Sequence, residues 1–119
     1  MTGQELATAR AHGAGRQGGK LVSIVVDNGS FGTIRMHQER EYPGRVSGSE
    51  LKGNPDFAAL ARAHDWHAEP VIATEAFEAA FTRAMAADGP TLIHLRLDSD
   101  VSTPRTTLTA LREAALKSR

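Results

Sequence analysis

The chain has 119 residues, 40% of them hydrophobic, and its 14 basic and 14 acidic side chains leave no formal net charge. That balance offers no basic stripe for nucleic acid, and no apolar run of about 18 residues is present to span a membrane. Cysteine is absent, which removes disulfides and thiol chemistry. The length suits a single domain over residues 1–119. With four Phe, one Tyr and one Trp, its core must be mostly aliphatic and alanine-based. A small core of that kind draws on partner surface for stability. The first residues carry no apolar signal-peptide core, so a cytoplasmic protein is the default expectation.

Thr2-Gly3-Gln4-Glu5 reads as a capping box that starts a helix with Leu6, Ala7 and Ala9 on its apolar face. Gly13 is a natural stop. Residues 13–19 follow as a glycine-rich loop, either a plain surface connection or a phosphate cradle; no strand precedes it, which favours the connection.

Residues 21–26, Leu-Val-Ser-Ile-Val-Val, suit a pleated strand. The run is apolar on both faces apart from Ser23, the pattern of a central parallel strand covered on both sides. It enters a polar corner, Asp27-Asn28-Gly29-Ser30-Phe31-Gly32. In open α/β sheets, ligands bind just beyond the carboxyl ends of such strands. Asn-Gly after a strand is also a hairpin signal. Residues 31–37 alternate poorly, and Gly32 weakens a second strand there. A hairpin and a ligand loop entering a short helix over residues 33–38 both remain open.

Residues 37–41 read as a mostly solvated charged run, and residues 42–49 as a long loop around Pro43-Gly44. Asn54-Pro55-Asp56 is a helix start with Asn54 as N-cap. Phe57, Leu60, Ala61 and His64 share one face of that helix. Trp66 packs after it. His64-Asp65-Trp66-His67 holds two His and a carboxylate, but no third ligand has convincing spacing, and a solvated helix end is the simpler reading.

Residues 69–73 are a short strand, with Pro70 near its start. A helix from Thr74 buries Phe77, Phe81 and Met85 with Ala80 and Ala84, and Asp88-Gly89-Pro90 stops it. Residues 91–97 form the last strand; His94 and Arg96 on one side place it nearer an edge or an interface. His94 reads as a core or interface histidine rather than a catalyst. Thr103-Pro104 opens a final helix over residues 106–117, with Leu108, Leu111 and Leu116 as its contacts. Arg105 is a helix-start surface residue or an anion ligand. Helices alternating with buried strands predict an α/β fold, a three-layer sandwich with a mainly parallel sheet.

The corner carries a resemblance. Val26-Asp27-Asn28-Gly29-Ser30-Phe31-Gly32-Thr33-Ile34-Arg35 resembles the second half of the thiamine diphosphate signature, which opens with Gly-Asp-Gly and closes with Asn-Asn. The similar branch is the acetolactate synthase, pyruvate oxidase and benzoylformate decarboxylase group, which reads Asn-Asn-Gly-x-Tyr/Phe-Gly here. The likeness extends through residues 1–9, 54–58 and 103–108. It covers nearly the whole chain, as the C-terminal portion of a thiamine diphosphate-binding domain. Asp27 stands where the family has its first Asn, and no Gly-Asp-Gly occurs. Family spacing would put that motif shortly before Met1, so Met1 is expected to be an internal methionine of a longer enzyme or the start of a truncated frame.

The resemblance implies thiamine diphosphate and Mg²⁺ as cofactors. It assigns the metal to the Asn28 amide oxygen and the Ser30 backbone carbonyl, with Gly29 turning the chain between them. It lays Phe31 and Gly32 along the diphosphate, and turns Thr33 and Ile34 toward the reacting end. A rival reading makes Asp27 a metal ligand, although neighbouring strand side chains point to opposite faces. The chemistry implied is decarboxylation or carboligation of a 2-oxo acid by the complete enzyme, a homo-oligomer. The family's catalytic Glu comes from another domain of a neighbouring subunit. No residue here matches it, so no catalytic residue is named in this chain. Two alternatives stand beside this: a catalytically inert truncated or assembly module of the same fold, and a flavodoxin-like phosphate binder.

Overall fold

The computed structural model describes residues 3–15 and 19–118. They fall into two compact units, one of Met1–Val26 with Pro55–Arg96 and one of Asp27–Asn54 with Leu97–Arg119.

The first unit holds a three-stranded sheet of order β1-β3-β2, from β1 (Val22–Asp27), β2 (His67–Val71) and β3 (Thr91–Arg96). Strand β2 lies parallel to β3, with His67 opposite Thr91 and Val71 opposite Leu95. Helices α1 (Glu5–Ala11) and α3 (Phe57–Ala63) pack on one face and α4 (Phe77–Ala86) on the other. Ala58, Ala61, Trp66, Ala68 and Leu92 fill the first core layer; Val71, Ala80, Ala84 and Ile93 fill the second. The expected three-layer α/β arrangement with a mainly parallel sheet is therefore present.

The strand roles are exchanged relative to expectation. Strand β3 is central and almost wholly buried, and β1 is at the sheet edge. Ile24 and Val26 on β1 are exposed, Val26 by 61%. An apolar run cannot distinguish a strand covered within its own chain from one that leaves a face open. His94 turns from β3 onto Phe57, ring edge to face at 5.2 Å, and its Nδ1 lies 3.9 Å from an Asp56 carboxylate oxygen. It is a core histidine. The second strand covers residues 67–71, slightly earlier than residues 69–73.

Local caps explain the helix ends. Thr2 of the expected capping box lies outside the described residues. Helix α1 ends in a six-to-one and five-to-two bonding pattern, Ala14 N–H to Ala9 carbonyl at 3.0 Å and Gly13 N–H to Arg10 carbonyl at 3.2 Å. Helix α3 is capped by Asp56 rather than Asn54: the Asp56 carboxylate accepts from the Ala59 N–H at 2.9 Å. Asn54 instead donates to Asp27 Oδ1 at 2.9 Å in the second unit.

Helix α3 closes through residues 64–67 in the same pattern, with Trp66 N–H to Ala61 carbonyl at 3.1 Å and Asp65 N–H to Arg62 carbonyl at 3.0 Å. Asp65 takes the left-handed position at φ 60°. Asp tolerates that conformation less well than Gly. Asp65→Gly is expected to stabilise the unit by about 0.5–1 kcal/mol, the relief of that strain less the added chain entropy. A raised urea midpoint checks it; an unchanged or lowered midpoint counts against the cap. Trp66 then turns inward and donates from its indole N–H to the Leu6 carbonyl at 2.9 Å.

A 3₁₀ turn, Thr74–Ala76, precedes α4. The buried stripe of α4 is Ala80 and Ala84; Phe81 and Met85 are exposed, against expectation. Small residues let α4 approach the sheet closely, which leaves no room beneath for the larger side chains.

The second unit contains α2 (Gly32–Glu41), a two-stranded ribbon of β4 (Val101–Thr103) and β5 (Thr106–Thr107), and α5 (Leu108–Lys117). The expected final helix begins later than Thr106, because Thr103 and Thr106 pair across the ribbon. The Thr107 hydroxyl caps α5 by accepting from the Ala110 N–H at 3.1 Å. Leu108 is buried, whereas Leu116 is exposed. Helix α2 packs on α5. Glu39, placed in a solvated run by sequence, is fully buried (0% exposed) and paired with Arg112 of α5. Among the described residues, no helix is long and apolar enough to cross a membrane.

Candidate functional site

The corner after β1 folds as a loop entering a helix, not as a hairpin. Two side chains shape the turn by bonding the backbone two residues ahead. Asp27 Oδ1 accepts from the Gly29 N–H at 2.8 Å, and Asn28 Oδ1 from the Ser30 N–H at 3.1 Å. Gly29 turns at φ 64°. The loop is then braced against residues 49–51: Phe31 N–H donates to the Ser49 carbonyl at 2.8 Å and Leu51 N–H to the Gly29 carbonyl at 2.9 Å.

Helix α2 starts at Gly32 with Phe31 as N-cap and no side-chain cap. Its first intrahelical bond is from the Arg35 N–H to the Phe31 carbonyl, 3.0 Å. The N–H groups of Gly32, Thr33 and Ile34 precede it and point outward along the helix axis, where the helix dipole favours an anion. A Cβ on Gly32 would lie 2.8 Å from Asn28 Nδ2. Glycine there keeps the Asn28 amide against the helix start.

A cavity of about 360 Å³ opens at this helix start. Asn28, Gly32, Thr33 and Met36 line it from the corner and α2, and Ser99, Val101, Ser102, Thr103 and Leu108 from the segment that ends in α5. Three of the seven sequence-derived cofactor positions, Asn28, Gly32 and Thr33, thus meet at one cavity. Gly29 and Ser30 shape the loop behind it. Phe31 and Ile34 are not among the residues lining this cavity and are about half exposed, 50% and 53%. Sequence reasoning missed the wall of residues 99–103, because isolated hydroxyls carry no spacing signal.

For a divalent cation the corner offers two side-chain oxygens, those of Asn28 and Ser30. Asn28 Oδ1 already accepts one hydrogen bond, which leaves one lone pair, and the Ser30 hydroxyl is buried without a partner. Among the described residues, no group of three or more His, Cys, Asp or Glu is placed to hold a metal. The corner therefore offers neutral oxygens suited to a hard cation that brings further ligands with it. The donor set for an anion is stronger: unsatisfied helix N–H groups, amide and hydroxyls. It fits a phosphate group.

Of the glycine-rich segment, the described Gly15 serves packing. Gly15 sits against the Gly89 backbone, and Lys20 Nζ donates to the Ala87 and Gly89 carbonyls at 2.6 and 2.9 Å. That anchoring supports the plain connection over a phosphate cradle. Arg105 is exposed on the ribbon turn, its N–H donating to the Thr103 hydroxyl at 3.2 Å.

Residues 1–95 match the family described as "Thiamine pyrophosphate enzyme, C-terminal TPP binding domain". The chain belongs to this family. Over 98 residues it is 33% identical to the acetolactate synthase isozyme 2 large subunit of Escherichia coli (strain K12), covering 82% of this chain and 17% of that protein. It is 32% identical to the acetolactate synthase large subunit of Parasynechococcus marenigrum (strain WH8102), again over 82% of this chain and 15% of the relative. The chain thus spans about a sixth of the length of these acetolactate synthases. Within the thiamine pyrophosphate-binding family match lie the corner and all of α2; the hydroxyl wall lies beyond residue 95.

Proposed function

We propose that this chain is the cofactor-holding C-terminal portion of a thiamine diphosphate-binding domain, over residues 1–119, in an acetolactate synthase-like enzyme acting on 2-oxo acids. The observation that carries the reading is the uncapped start of α2, opening with Asn28, Gly32 and Thr33 onto one cavity in a chain of this family. The free N–H groups of Gly32 and Thr33 receive diphosphate oxygens. Asn28 and Ser30 offer an amide and a carbonyl oxygen to the accompanying Mg²⁺. Gly29 sets the turn. Phe31 and Ile34, apolar and outward-facing, meet the cofactor's organic part or a neighbouring subunit. When bound, the cofactor supplies the carbon that attacks the 2-oxo acid; this chain's residues bind and orient it. Exposed Ile24, Val26, Phe31 and Ile34 support a homo-oligomer; the cytoplasm is its proposed place of work.

Asn28→Ala is expected to weaken Mg²⁺-dependent thiamine diphosphate binding about 10- to 100-fold, the loss of one charge-assisted contact. Isothermal titration of the chain with and without Mg²⁺ measures it. Equal affinity for both proteins counts against the assignment.

A second reading concerns the chain by itself. The sequence contains no Gly-Asp-Gly, so a carboxylate partner for the metal is lacking here. That favours a catalytically inert module when the chain is alone. CO₂ release from pyruvate by the purified chain would refute inertness without touching the binding site.

A further inference from the structure

The wall of residues 99–103 faces the corner cavity yet lies outside the residues matched by the family. It is held in shape by its own acids. Asp98 Oδ1 accepts from the Asp100 N–H at 2.9 Å. Asp100 Oδ1 accepts from the Thr109 N–H at 3.0 Å and the Thr109 hydroxyl at 2.9 Å, and the Asp100 carbonyl accepts from the Leu108 N–H at 2.8 Å. Both carboxylates are thus engaged in shaping the loop, while the cavity lining contains no charged side chain.

The hydroxyls on the wall differ in their commitments. Thr103 Oγ1 accepts from the Arg105 N–H. The Ser99 and Ser102 hydroxyls make no hydrogen bond to any described residue, and both line the same cavity as Gly32 and Thr33 at the uncapped start of α2. Neutral donors from two segments lining one cavity, one of them a helix start, form a set that suits an oxyanion rather than a cation. The loop is pre-shaped, so little ordering opposes binding.

We propose that Ser99 and Ser102 are ligand-positioning residues that donate hydrogen bonds to phosphate oxygens in the corner cavity, which Gly32 and Thr33 also line. This rests on the reading of the corner as a diphosphate site and adds to it a second wall supplied by the chain beyond the family match. The hydroxyl pair fixes how deeply the phosphate group sits against α2. It makes residues 99–103 a determinant of which phosphorylated ligand fits.

The test titrates the full chain with three probes, inorganic pyrophosphate, thiamine diphosphate and thiamine, each with Mg²⁺. Calorimetry gives the affinities, and amide shifts at Gly32, Thr33, Ser99 and Ser102 give the location. The Ser99→Ala/Ser102→Ala double variant is expected to weaken pyrophosphate and thiamine diphosphate by about tenfold or more, with thiamine unaffected. Unchanged circular dichroism and urea midpoint keep that loss from being a folding effect. Native affinity of the double variant for both phosphorylated probes overturns the proposal. Weakened thiamine diphosphate with unchanged pyrophosphate also overturns it, since the wall then touches the organic part. If Asn28→Ala weakens binding while the serine variant does not, the corner reading survives and the wall fails. If the native chain shows neither affinity nor shifts at these amides, both fail.

Discussion

Replacing Arg112 by methionine is expected to lower the stability of the unit holding α2 and α5 by about 2–3 kcal/mol. The cause is the partner it abandons. Glu39 is completely buried, and its carboxylate is held by the Arg112 guanidinium through both nitrogen branches, Nε lying 2.7 Å from Oε2. Among the described residues, the Gly44 N–H is the remaining hydrogen-bond donor to that carboxylate, at 3.0 Å. Without Arg112, a buried charge keeps a single neutral hydrogen bond. Removing one partner of a fully buried pair costs about 3–5 kcal/mol. The Arg112 side chain is 36% exposed, so water screens part of the attraction and the lower figure applies. Urea unfolding followed by α-helical circular dichroism measures the loss. Replacing both partners with apolar residues, Glu39→Leu with Arg112→Met, should recover much of it, because no buried charge is then stranded. If the double variant is as unstable as the sum of the singles, packing rather than charge explains the pair.

The same pair has a pH signature. The Arg112 guanidinium beside Glu39, helped by the Gly44 N–H, holds the Glu39 carboxyl below the usual carboxylate range against the opposing effect of burial. A carboxyl with a depressed folded pKa binds fewer protons folded than unfolded, so its stabilisation is complete above the unfolded value, about 4.3. It is lost as pH falls through the lower folded value. Glu69 behaves alike through Arg83, Asp56 through the Ala59 N–H, and Asp100 through Thr109. Acid should therefore destabilise both units, and Arg112→Met should flatten that acid limb for the unit containing α2.

The order of helices and strands was legible in the sequence because alternation and stop signals are local. The corner was legible because Asn28-Gly29-Ser30-Phe31-Gly32 is a compact motif with a family likeness, and the turn it forms is made by its own side chains. What escaped depends on distant partners. Glu39 lies among charges on a helix and is ordinarily a solvated residue; its burial is decided by an arginine 73 residues later. Residues 21–26 read as a central strand because both faces are apolar, yet the chain covers only part of them. Asp56 and Asn54 are both good caps, and the competition was settled by Asn54 donating to Asp27. The hydroxyl wall was hidden behind Thr103-Pro104, which imitates a helix start.

Gly15→Ala carries the second large effect. Gly15 has φ +82°, a conformation that costs an L side chain about 1–2 kcal/mol. Strain is only the first part. A Cβ built there would lie 2.4 Å from the Gly89 carbonyl carbon, 2.5 Å from its oxygen and 2.8 Å from the Pro90 nitrogen. Those are backbone atoms, and no side-chain rotation can relieve the overlap. Gly89 and Pro90 are themselves buried. They lead directly into β3, the central strand, where the Thr91 N–H donates to the Leu21 carbonyl at 3.0 Å. Moving them therefore disturbs the pairing of β3 with the chain entering β1. Overpacking adds about 1–3 kcal/mol to the strain, so a total near 3 kcal/mol is expected. Gly13→Ala is the control: it also has positive φ, at 68°, but its Cβ meets nothing within 4 Å. It should lose about 1 kcal/mol, the strain alone. Urea midpoints that separate the two variants by about 2 kcal/mol would show that close backbone approach, not turn geometry, requires the glycine at position 15. Equal midpoints would place the α1–β1 connection away from residues 89–90 and would reopen the glycine-rich loop as a ligand cradle.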